Sequence, residues 1–467
     1  MDTNQPVAVN PTPTQIPTEK MDISSIPSTP KPKFPIKMIA LVLGTLGLIG
    51  IIFFAFNYFR SSGGGTTSGE VVWWGLWEDE AVVSSLISEY QSQNPKATIK
   101  YVRQSKEDYR ERLTNALAKG TGPDIFRFHN TWVPMFKSEL DPVPASVYSA
   151  SDFAQTFYPV AVSDLSLNAN VVGIPLGYDG LSLYINEEIF EKSGKTYPTT
   201  WNELRQTARE LTVKDETGGI TQAGVALGRT ENVDHWPEIL GLMMLQNGVD
   251  LVRPTGQLAE DALDFYTIFS IEDEVWDATQ PASTVAFAAG KLAMYLGPSW
   301  RSFEIRLQNP NLRFKTIPVP QLPKTVANEP DVNYASYWVE GVWSKSKNKT
   351  VAWDFLKYVS EEQNLEKMYN SASRQRMFGE PYPKQNMGNL LSDHPIIGST
   401  VVGAKTAQTW FLQSRTWDGP TGINSQINKY FEDAVNAVNQ GKESSNSLEA
   451  VSSGVIQVLS QYGIRVQ

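Results

Sequence analysis

Aromatic and polar side chains recur where predicted β-strands end, and they are the residues best able to bind a small molecule. Trp and Tyr offer large flat rings, while Asp, Glu, Asn, Ser, His and Arg donate or accept hydrogen bonds. This mixture suits a ring-shaped solute with many hydroxyl groups, because binding sites are mostly apolar with a few placed polar groups. The candidate binding residues are Trp77, Glu78, His129, Asn130, Trp132, Tyr178, Asp179, Trp236, Ser299, Trp300, Arg301, Trp338, Glu340, Trp410 and Trp417.

Core tryptophans must be distinguished from ligand-binding ones, because a tryptophan in a large domain more often belongs to the core than to a ligand site. We expect Trp73 and Trp353 to lie in the core. Trp77, Trp300 and Trp338 each adjoin a strand–loop junction, which favours a cleft.

Other candidates have structural alternatives that the sequence leaves open. Asp179 could merely cap a turn beside Gly180, and His129 could be a packed neutral ring. Trp410 and Trp417 could pack against the last two helices instead of touching a ligand.

Several function classes find no support in the residues. The chain has no cysteine, which excludes disulfides, thiolate metal sites and a lipid-modified cysteine. It has three histidines and no G-x-S-x-G, H-E-x-x-H or P-loop motif. The acidic run at residues 215–219 lacks the spacing of a full calcium loop and is interpreted as an acidic turn. A net charge of −10 without a basic stripe argues against nucleic acid as a partner.

Alternating strands and helices must position the candidate residues. Residues 71–74, 98–103 and 124–128 are predicted strands, with segments of helical periodicity between them. This order implies parallel strands joined by right-handed crossovers, hence an α/β lobe. In such a sheet ligands bind beyond the carboxyl ends of the strands, where residues 75–78 and 128–132 lie.

The stretch from residue 173 to residue 204 is the centre of the predicted organisation. Apolar and polar residues alternate over residues 181–186, the pattern of a half-buried strand. A helix follows and ends at Gly194, and Thr200 and Glu203 form a capping box for the next helix. Residues 177–180 are interpreted as a crossing between two packed units, which exposes an aromatic ring and a carboxylate.

The N-terminal part predicts a membrane anchor. Residues 1–37 contain eight prolines among polar residues and are predicted to be a disordered cytoplasmic tail. Residues 38–60 form the anchor; their first 22 residues carry no charge, and a helix of that length spans roughly 30 Å. Lysines precede the span, so the remainder is expected outside the cell. A cleaved signal peptide is the alternative. Residues 61–69 are a flexible Gly/Ser linker.

The central stretch resembles the signature of the extracellular solute-binding proteins of family 1, the maltose-binding-protein-like receptors of ABC importers. Four further stretches resemble the same family in the same order. They are residues 71–95, 121–136, 287–301 and 337–363. The resemblance covers about residues 70–465 and rests on the ordered set, since no single motif is decisive.

The resemblance implies a fold and a division of the chain. The expected fold class is α/β, a two-lobed periplasmic-binding-protein-like fold of class II, after a single transmembrane helix. The family's chain crosses between lobes three times, which suggests crossings near residues 177, 319 and 376. Residues 70–177 and 320–376 would form lobe 1, and residues 178–319 and 377–467 lobe 2.

The resemblance also implies a function. The protein is expected to capture a mono- or oligosaccharide outside the cell by hinge closure and to deliver it to the permease subunits of an ABC transporter. It is expected to be a monomer without catalytic activity, cofactor or metal.

Site residues carry over unevenly from the family. Asp179 stands where relatives often place a ligand-binding carboxylate, and Glu78 matches a polar position after the first strand. Residues 128–132 match the loop after the third strand. Relatives often have Trp where this chain has Ser299, and the regions around residues 236 and 410 align loosely.

Two other functions stay open at this point. One is a sensor or adhesion ectodomain on the same fold, against which the short tail without a signalling domain argues mildly. The other is a glycan-acting enzyme, because paired carboxylates cannot be recognised from sequence alone.

Overall fold

The computed structural model describes residues 68–324, 326 and 329–466. The predicted tail at residues 1–37, the predicted anchor at residues 38–60 and the linker up to residue 67 lie outside the described residues. Within the described part of the chain, no helix combines the length and the apolar character needed to cross a bilayer.

The strands are mostly short, as their Gly and Pro boundaries indicate. In chain order they are β1 (Gly69–Gly75), β2 (Ala97–Arg103), β3 (Ile125–His129), β4 (Ser166–Leu167), β5 (Asn170–Val171), β6 (Ile174–Pro175), β7 (Leu181–Asn186), β8 (Val213–Lys214), β9 (Ile220–Val225), β10 (Leu292–Pro298), β11 (Phe314–Ile317), β12 (Asn333–Tyr334), β13 (Trp338–Val342) and β14 (Ala407–Gln408).

Helices connect and cover these strands. They are α1 (Glu80–Gln93), α2 (Tyr109–Ala118), α3 (Val133–Phe136), α4 (Ala150–Thr156), α5 (Pro159–Asp164), α6 (Glu187–Ser193), α7 (Trp201–Leu211), α8 (Trp236–Gln246), α9 (Gln257–Ile271), α10 (Ser283–Ala288), α11 (Arg301–Gln308), α12 (Lys349–Val359), α13 (Glu362–Ser373), α14 (Gly398–Gly403), α15 (Ile423–Asn439) and α16 (Ser444–Gln461). The capping box of Thr200 and Glu203 at the start of α7 is confirmed.

The first sheet has the strand order β2-β1-β3-β13-β6. Its strands β1, β2 and β3 are parallel, as their strand–helix–strand order predicts. Strand β13 is antiparallel to β3 and pairs Trp338 with His129. The start of β13 therefore lies at the same edge as the ends of β1, β2 and β3. Trp73 and Trp353 are buried in the core beside this sheet, as predicted.

The second sheet has the order β11-β7-β10-β9-β8. Strand β10 runs parallel to β9 and antiparallel to β7, and it pairs Pro298 with Leu181. Residues just before β7 and just after β10 therefore meet at one edge. Each sheet with its helices forms one lobe of a two-lobed α/β fold.

The prediction that β7 is half-buried was wrong. All six of its residues are buried, because β7 lies inside the sheet between β10 and β11 and both of its faces are covered. Its polar side chains have internal partners: Tyr184 Oη donates to the Pro298 carbonyl at 2.6 Å, Ser182 lies 3.0 Å from Thr400 Oγ1, and Asn186 caps α6.

Residues 176–180 link β6 of the first sheet to β7 of the second. They pack tightly, since a Cβ on Gly180 would lie 2.5 Å from the Tyr334 carbonyl oxygen. Tyr178 and Asp179 were expected to be exposed here, and that expectation was wrong: both are buried, because the chain returns against this segment, with Tyr178 N donating to the Pro381 carbonyl at 2.8 Å. The lobe boundaries at residues 177, 319 and 376 stay predictions.

Candidate functional site

A cavity of about 320 Å³ lies between the facing edges of the two sheets. Its walls come from both lobes because the ends of β1, β3 and β10 and the starts of β7 and β13 all open toward it. The lining residues are Trp77, Glu78, Lys106, Arg127, His129, Leu176, Gly177, Tyr178, Asp179, His235, Glu238, Pro298, Trp300, Arg301, Phe303, Glu304, Ser336, Tyr337, Trp338, Met368, Arg376, Glu380, Ser414, Arg415 and Trp417. We call this space the cleft.

Rings from both lobes face the cleft. On the first lobe, Trp77 and Trp338 meet edge to face with ring centroids 5.6 Å apart. On the second lobe, the guanidinium of Arg301 lies over the ring of Trp300, with Arg301 Cζ 4.5 Å from the ring centroid. These half-buried rings line the cleft from both lobes and offer apolar surface to a flat solute.

A buried ion triad supports the first-lobe wall. Arg127 on β3 donates from Nε to Glu340 Oε1 at 2.7 Å, and its Nη1 pairs with Glu78. Trp73 Nε1 donates to the other oxygen of Glu340 at 3.0 Å. Burial by itself would lower the pKa of Arg127, but the two carboxylates raise it well above its ordinary value. Burial raises the pKa of Glu340. The triad holds Glu78 in place at the cleft.

His129 packs as a neutral ring that still lines the cleft. Its Nδ1 lies 2.8 Å from Thr131 Oγ1 and its Nε2 lies 3.2 Å from Ser336 Oγ. Its ring meets that of Trp338 edge to face. Burial lowers the pKa of His129 to about 3, so the imidazole is neutral at physiological pH.

Asp179 binds its own chain and also lines the cleft. Its Oδ1 accepts from the backbone N–H groups of Gly180 at 2.8 Å and Ser299 at 3.0 Å. Its Oδ2 accepts from Ser299 Oγ at 2.9 Å. Burial raises the pKa of Asp179 to about 7. The carboxylate therefore ties the crossing segment to the end of β10.

A chain of hydrogen bonds crosses the second-lobe wall and ends in two atoms that make no hydrogen bond to a described residue. Arg301 Nε donates to His235 Nε2 at 2.8 Å, so His235 carries its proton on Nδ1, which lies 3.0 Å from Ser414 Oγ. Ser414 Oγ donates to Glu238 Oε1 at 2.8 Å. Glu238 Oε2 and Arg301 Nη2 are buried without a hydrogen-bond partner among the described residues.

These two atoms form a complementary pair in the cleft wall. Arg301 Nη2 is a donor that forms an ion pair with Asp234 Oδ1 at 3.4 Å but makes no hydrogen bond to a described residue. Glu238 Oε2 is an acceptor. Buried polar groups are normally hydrogen-bonded, so an acceptor and a donor without hydrogen bonds in one wall suit a ligand hydroxyl, which can satisfy both kinds of group.

A strained loop carries two further side chains to the rim. Arg415 and Trp417 both have left-handed backbone angles, with φ of 56° each. Such residues cost about 1–3 kcal/mol and persist where the surroundings hold them. Here Asp418 holds the loop by accepting from Asn424 N at 2.8 Å and Ser425 Oγ at 2.6 Å. Lys106 of the first lobe lies 4.7 Å from the centroid of the Trp417 ring.

The structure brings most of the sequence-predicted site residues to the cleft. Those that line it are Trp77, Glu78, His129, Tyr178, Asp179, Trp300, Arg301, Trp338 and Trp417. Two others stand directly behind it: Ser299 bonds Asp179, and Glu340 bonds Arg127. That each lining residue contacts a ligand stays a prediction.

Four predicted residues lie elsewhere. Trp132 is fully buried behind Trp338, because the 3₁₀ turn at Asn130–Trp132 directs its ring into the core. Asn130 and Trp410 line a separate cavity of about 300 Å³. Trp236 lines an outer pocket next to the cleft.

Sequence reasoning missed several cleft residues. Arg127 could have been recognised because it is a charged residue inside the apolar run of β3. His235 could have been recognised because it directly precedes the candidate Trp236. Glu238 and Ser414 carried no local signal, because their meeting depends on packing between segments 176 residues apart. Among the described residues, no cluster of His, Asp and Glu could hold a metal ion.

Comparison with known proteins identifies relatives of this architecture. The model of the bacterial extracellular solute-binding protein family matches residues 74–366. A binding protein of Brucella abortus is 22% identical over 287 residues, which cover 58% of this chain and 67% of that protein. The sugar-binding protein MalE of Xanthomonas citri superimposes with a TM-score of 0.68 at 18% sequence identity. The alignment covers 84% of this chain and 98% of the MalE chain. A cyclo/maltodextrin-binding protein complexed with maltotetraose superimposes with a TM-score of 0.66 at 14% sequence identity. The alignment covers 85% of this chain and 98% of that protein's chain.

Proposed function

This chain belongs to the bacterial extracellular solute-binding protein family, and we propose that it captures a carbohydrate in the cleft and delivers it, as a monomer, to an ABC importer. The family and its structural neighbours are binding proteins, not enzymes. The protein therefore acts by holding and releasing a solute without making or breaking bonds.

The observation that carries the proposal is the composition of the cleft wall. The rings of Trp77, Trp338 and Trp300 line the cleft together with Glu238 and Arg301, each of which has a buried atom without a hydrogen-bond partner among the described residues. A sugar ring offers apolar C–H faces to the tryptophans and hydroxyl groups to the free acceptor and donor. The structural neighbours, a sugar-binding protein and a cyclo/maltodextrin-binding protein complexed with maltotetraose, support the same ligand class.

Hinge closure is the proposed mechanism of capture. A ligand that touches Trp338 on one lobe and Trp300 on the other gains both contacts only when the lobes are close together. It shifts the open–closed equilibrium by its differential affinity for the closed state and by no more. The crossing at residues 176–180 is one hinge in this proposal.

The proposed location is the outer face of a cell membrane. The uncharged run that begins at residue 38 would anchor the protein as a single-pass helix with its N-terminus in the cytoplasm. An anchor would keep the cleft close to the permease. The test is carbonate extraction of membranes combined with protease digestion of intact cells. Release by carbonate contradicts the anchor, and protection from protease contradicts the orientation.

Carbohydrate binding is tested by isothermal titration calorimetry on the full chain. The chain is solubilised in a detergent without a sugar headgroup and titrated with mono- and oligosaccharides of glucose, mannose and N-acetylglucosamine. At least one series should bind. Glu238→Gln replaces the free acceptor by an amide and should weaken that ligand by about 1.5–3 kcal/mol, the range for hydrogen bonds to charged groups.

The matched control is Glu216→Gln, the same chemical change at an exposed loop residue outside the cleft. It should leave affinity unchanged. Absence of heat with every saccharide, or release of shortened glycans during incubation, would contradict the proposed function.

A further inference from the structure

The separate cavity of about 300 Å³ beside Asn130 and Trp410 has its own walls. They come from the 3₁₀ turn after β3, from α3, α5 and β4, from the loop after β14 and from the segment after α16. Among the residues that the structure describes, this cavity and the cleft have no lining residue in common. The separate cavity is therefore a second space with a chemistry of its own.

Asp164, the last residue of α5, brings a carboxyl group to the separate cavity. Its Oδ2 accepts from Asn130 Nδ2 at 2.8 Å and from Tyr337 Oη at 2.8 Å. Its Oδ1 accepts no hydrogen bond from a described residue. Burial raises the pKa of Asp164 to about 7, and these two hydrogen bonds oppose the shift without help from any basic side chain of the described chain. An ionised Asp164 thus has no counter-charge from the protein.

Two threonine hydroxyls of the same cavity already have protein partners. Thr131 Oγ1 donates to Asn424 Oδ1 at 2.9 Å. Thr409 Oγ1 donates to the Ala335 carbonyl at 2.9 Å. Hydrogen bonds to an ionised acceptor are the stronger ones, so Asp164 Oδ1 is the acceptor that a ligand in this cavity would use.

Aromatic and aliphatic side chains form another part of the wall. Trp410 and Phe411 are half-buried, and their ring centroids lie 5.6 Å apart in an edge-to-face arrangement. Leu167 adds aliphatic surface. Lys137 is exposed, and its Nζ donates to the Tyr462 carbonyl at 2.9 Å. Aromatic faces attract both apolar groups and cations, so the wall suits a cation with an apolar body.

We propose that the separate cavity binds a small organic ammonium ion that carries an apolar body. The ammonium group donates to Asp164 Oδ1 and supplies the missing counter-charge, while the body packs against Trp410 and Leu167. A neutral hydroxyl could donate to the same oxygen, but it would leave the buried charge uncompensated. The proposal stands independently of carbohydrate binding in the cleft.

The test is isothermal titration calorimetry of the full chain in detergent with 2-phenylethylammonium chloride at pH 8. At this pH Asp164 is ionised and a primary amine still carries its proton. Saturable binding is expected. The neutral analogue 2-phenylethanol has a similar shape but no charge, and it should bind about 10- to 100-fold more weakly, the effect of a hydrogen bond between charged groups.

Asp164→Asn should weaken 2-phenylethylammonium by the same factor. The amide oxygen can still accept from Tyr337 and Asn130, but the other position becomes a donor that repels an ammonium group. Asp393→Asn is the matched control, since Asp393 is exposed and lines neither space; it should leave affinity unchanged. Leu167→Trp fills the cavity without touching the carboxyl group and should also abolish binding. Thermal melting of each variant reports folding.

The outcomes that overturn the proposal are distinct from those that concern the cleft. No binding of 2-phenylethylammonium, or equal affinity for 2-phenylethanol, overturns it. Unchanged affinity in the folded Asp164→Asn or Leu167→Trp variant overturns it as well. If Glu238→Gln weakens the ammonium ion and Asp164→Asn does not, the ion lies in the cleft, which also overturns the proposal. None of these results bears on carbohydrate binding.

Discussion

Replacement of Arg127 by methionine should leave two buried carboxylates, Glu78 and Glu340, without their shared cation. In the parent protein the Arg127 guanidinium lies 2.6 Å from Glu340 Oε1 and also pairs with Glu78. Arg127 and Glu78 are each 6% exposed, and Glu340 is 1% exposed. Methionine fills much of the arginine stem but supplies no charge and no donor.

The expected loss is large for one substitution. Removal of one partner from a buried ion pair destabilises proteins by about 3–5 kcal/mol, because the other charge is left unpaired. Here the remaining bond from Trp73 to Glu340 offsets only a part of that loss. A loss of this size is a large fraction of the roughly 5–15 kcal/mol that stabilises a typical domain.

The loss should depend on pH with a definite sign. Burial already raises the pKa of Glu340 while Arg127 opposes that shift, so the pKa rises further in the variant. A carboxyl whose folded pKa is raised binds its proton more tightly when folded, and its stability contribution is lost as pH rises. The loss of unfolding free energy caused by Arg127→Met should therefore be full at pH 8 and smaller at pH 5.

The assay is urea unfolding of parent and variant at both pH values, with the midpoints compared at equal slope. Arg313→Met is the control, since Arg313 makes its ion pairs with Glu188 and Glu191 on the surface and should leave the midpoint unchanged. A deficit below about 1 kcal/mol at pH 8 would refute the burial argument. An equal deficit at both pH values would refute the charge argument.

Three further outcomes are expected. Trp300→Ala should weaken the tightest carbohydrate by about 1 kcal/mol or more in calorimetry, because a ring contact in the cleft is lost; unchanged affinity would remove that ring from the site. Burial raises the pKa of Asp164 to about 7, so ionisation of Asp164 should cost the parent stability as pH rises from about 4 to about 7. Asp164→Asn should therefore gain thermal stability relative to the parent over this range, and a constant difference between the two proteins would contradict the reasoning. Gly180→Ala should destabilise the crossing by about 1–3 kcal/mol, because the new Cβ would lie 2.5 Å from the Tyr334 carbonyl oxygen; a melting temperature equal to the parent's would show that the backbone yields.

Local patterns predicted the elements well. The capping box that starts α7 needs only Thr200 and Glu203, four residues of chain, and the structure contains it as predicted. The parallel pairing of β1, β2 and β3 follows from their order along the chain. The burial of β7 could not be foreseen, because it depends on two strands more than 100 residues away.

Cleft residues were predictable from the sequence where their position at a strand end alone directs the side chain into the cleft. Trp77, Trp300 and Trp338 follow or begin strands at the facing edges of the two sheets, and all three line the cleft. Trp132 has the same sequence signature, but a single 3₁₀ turn directs it inward. The partners of Arg127 and Glu238 are assembled across 213 and 176 residues, and no local pattern records such contacts.

The most direct test of the central claim is a structure of the protein with its tightest saccharide. We expect the sugar between the two sheets, with a ring face within about 4 Å of Trp300 or Trp338 and a hydroxyl group on Glu238 Oε2. A saccharide bound on one lobe only, or in the separate cavity beside Asn130 and Trp410, would contradict the account.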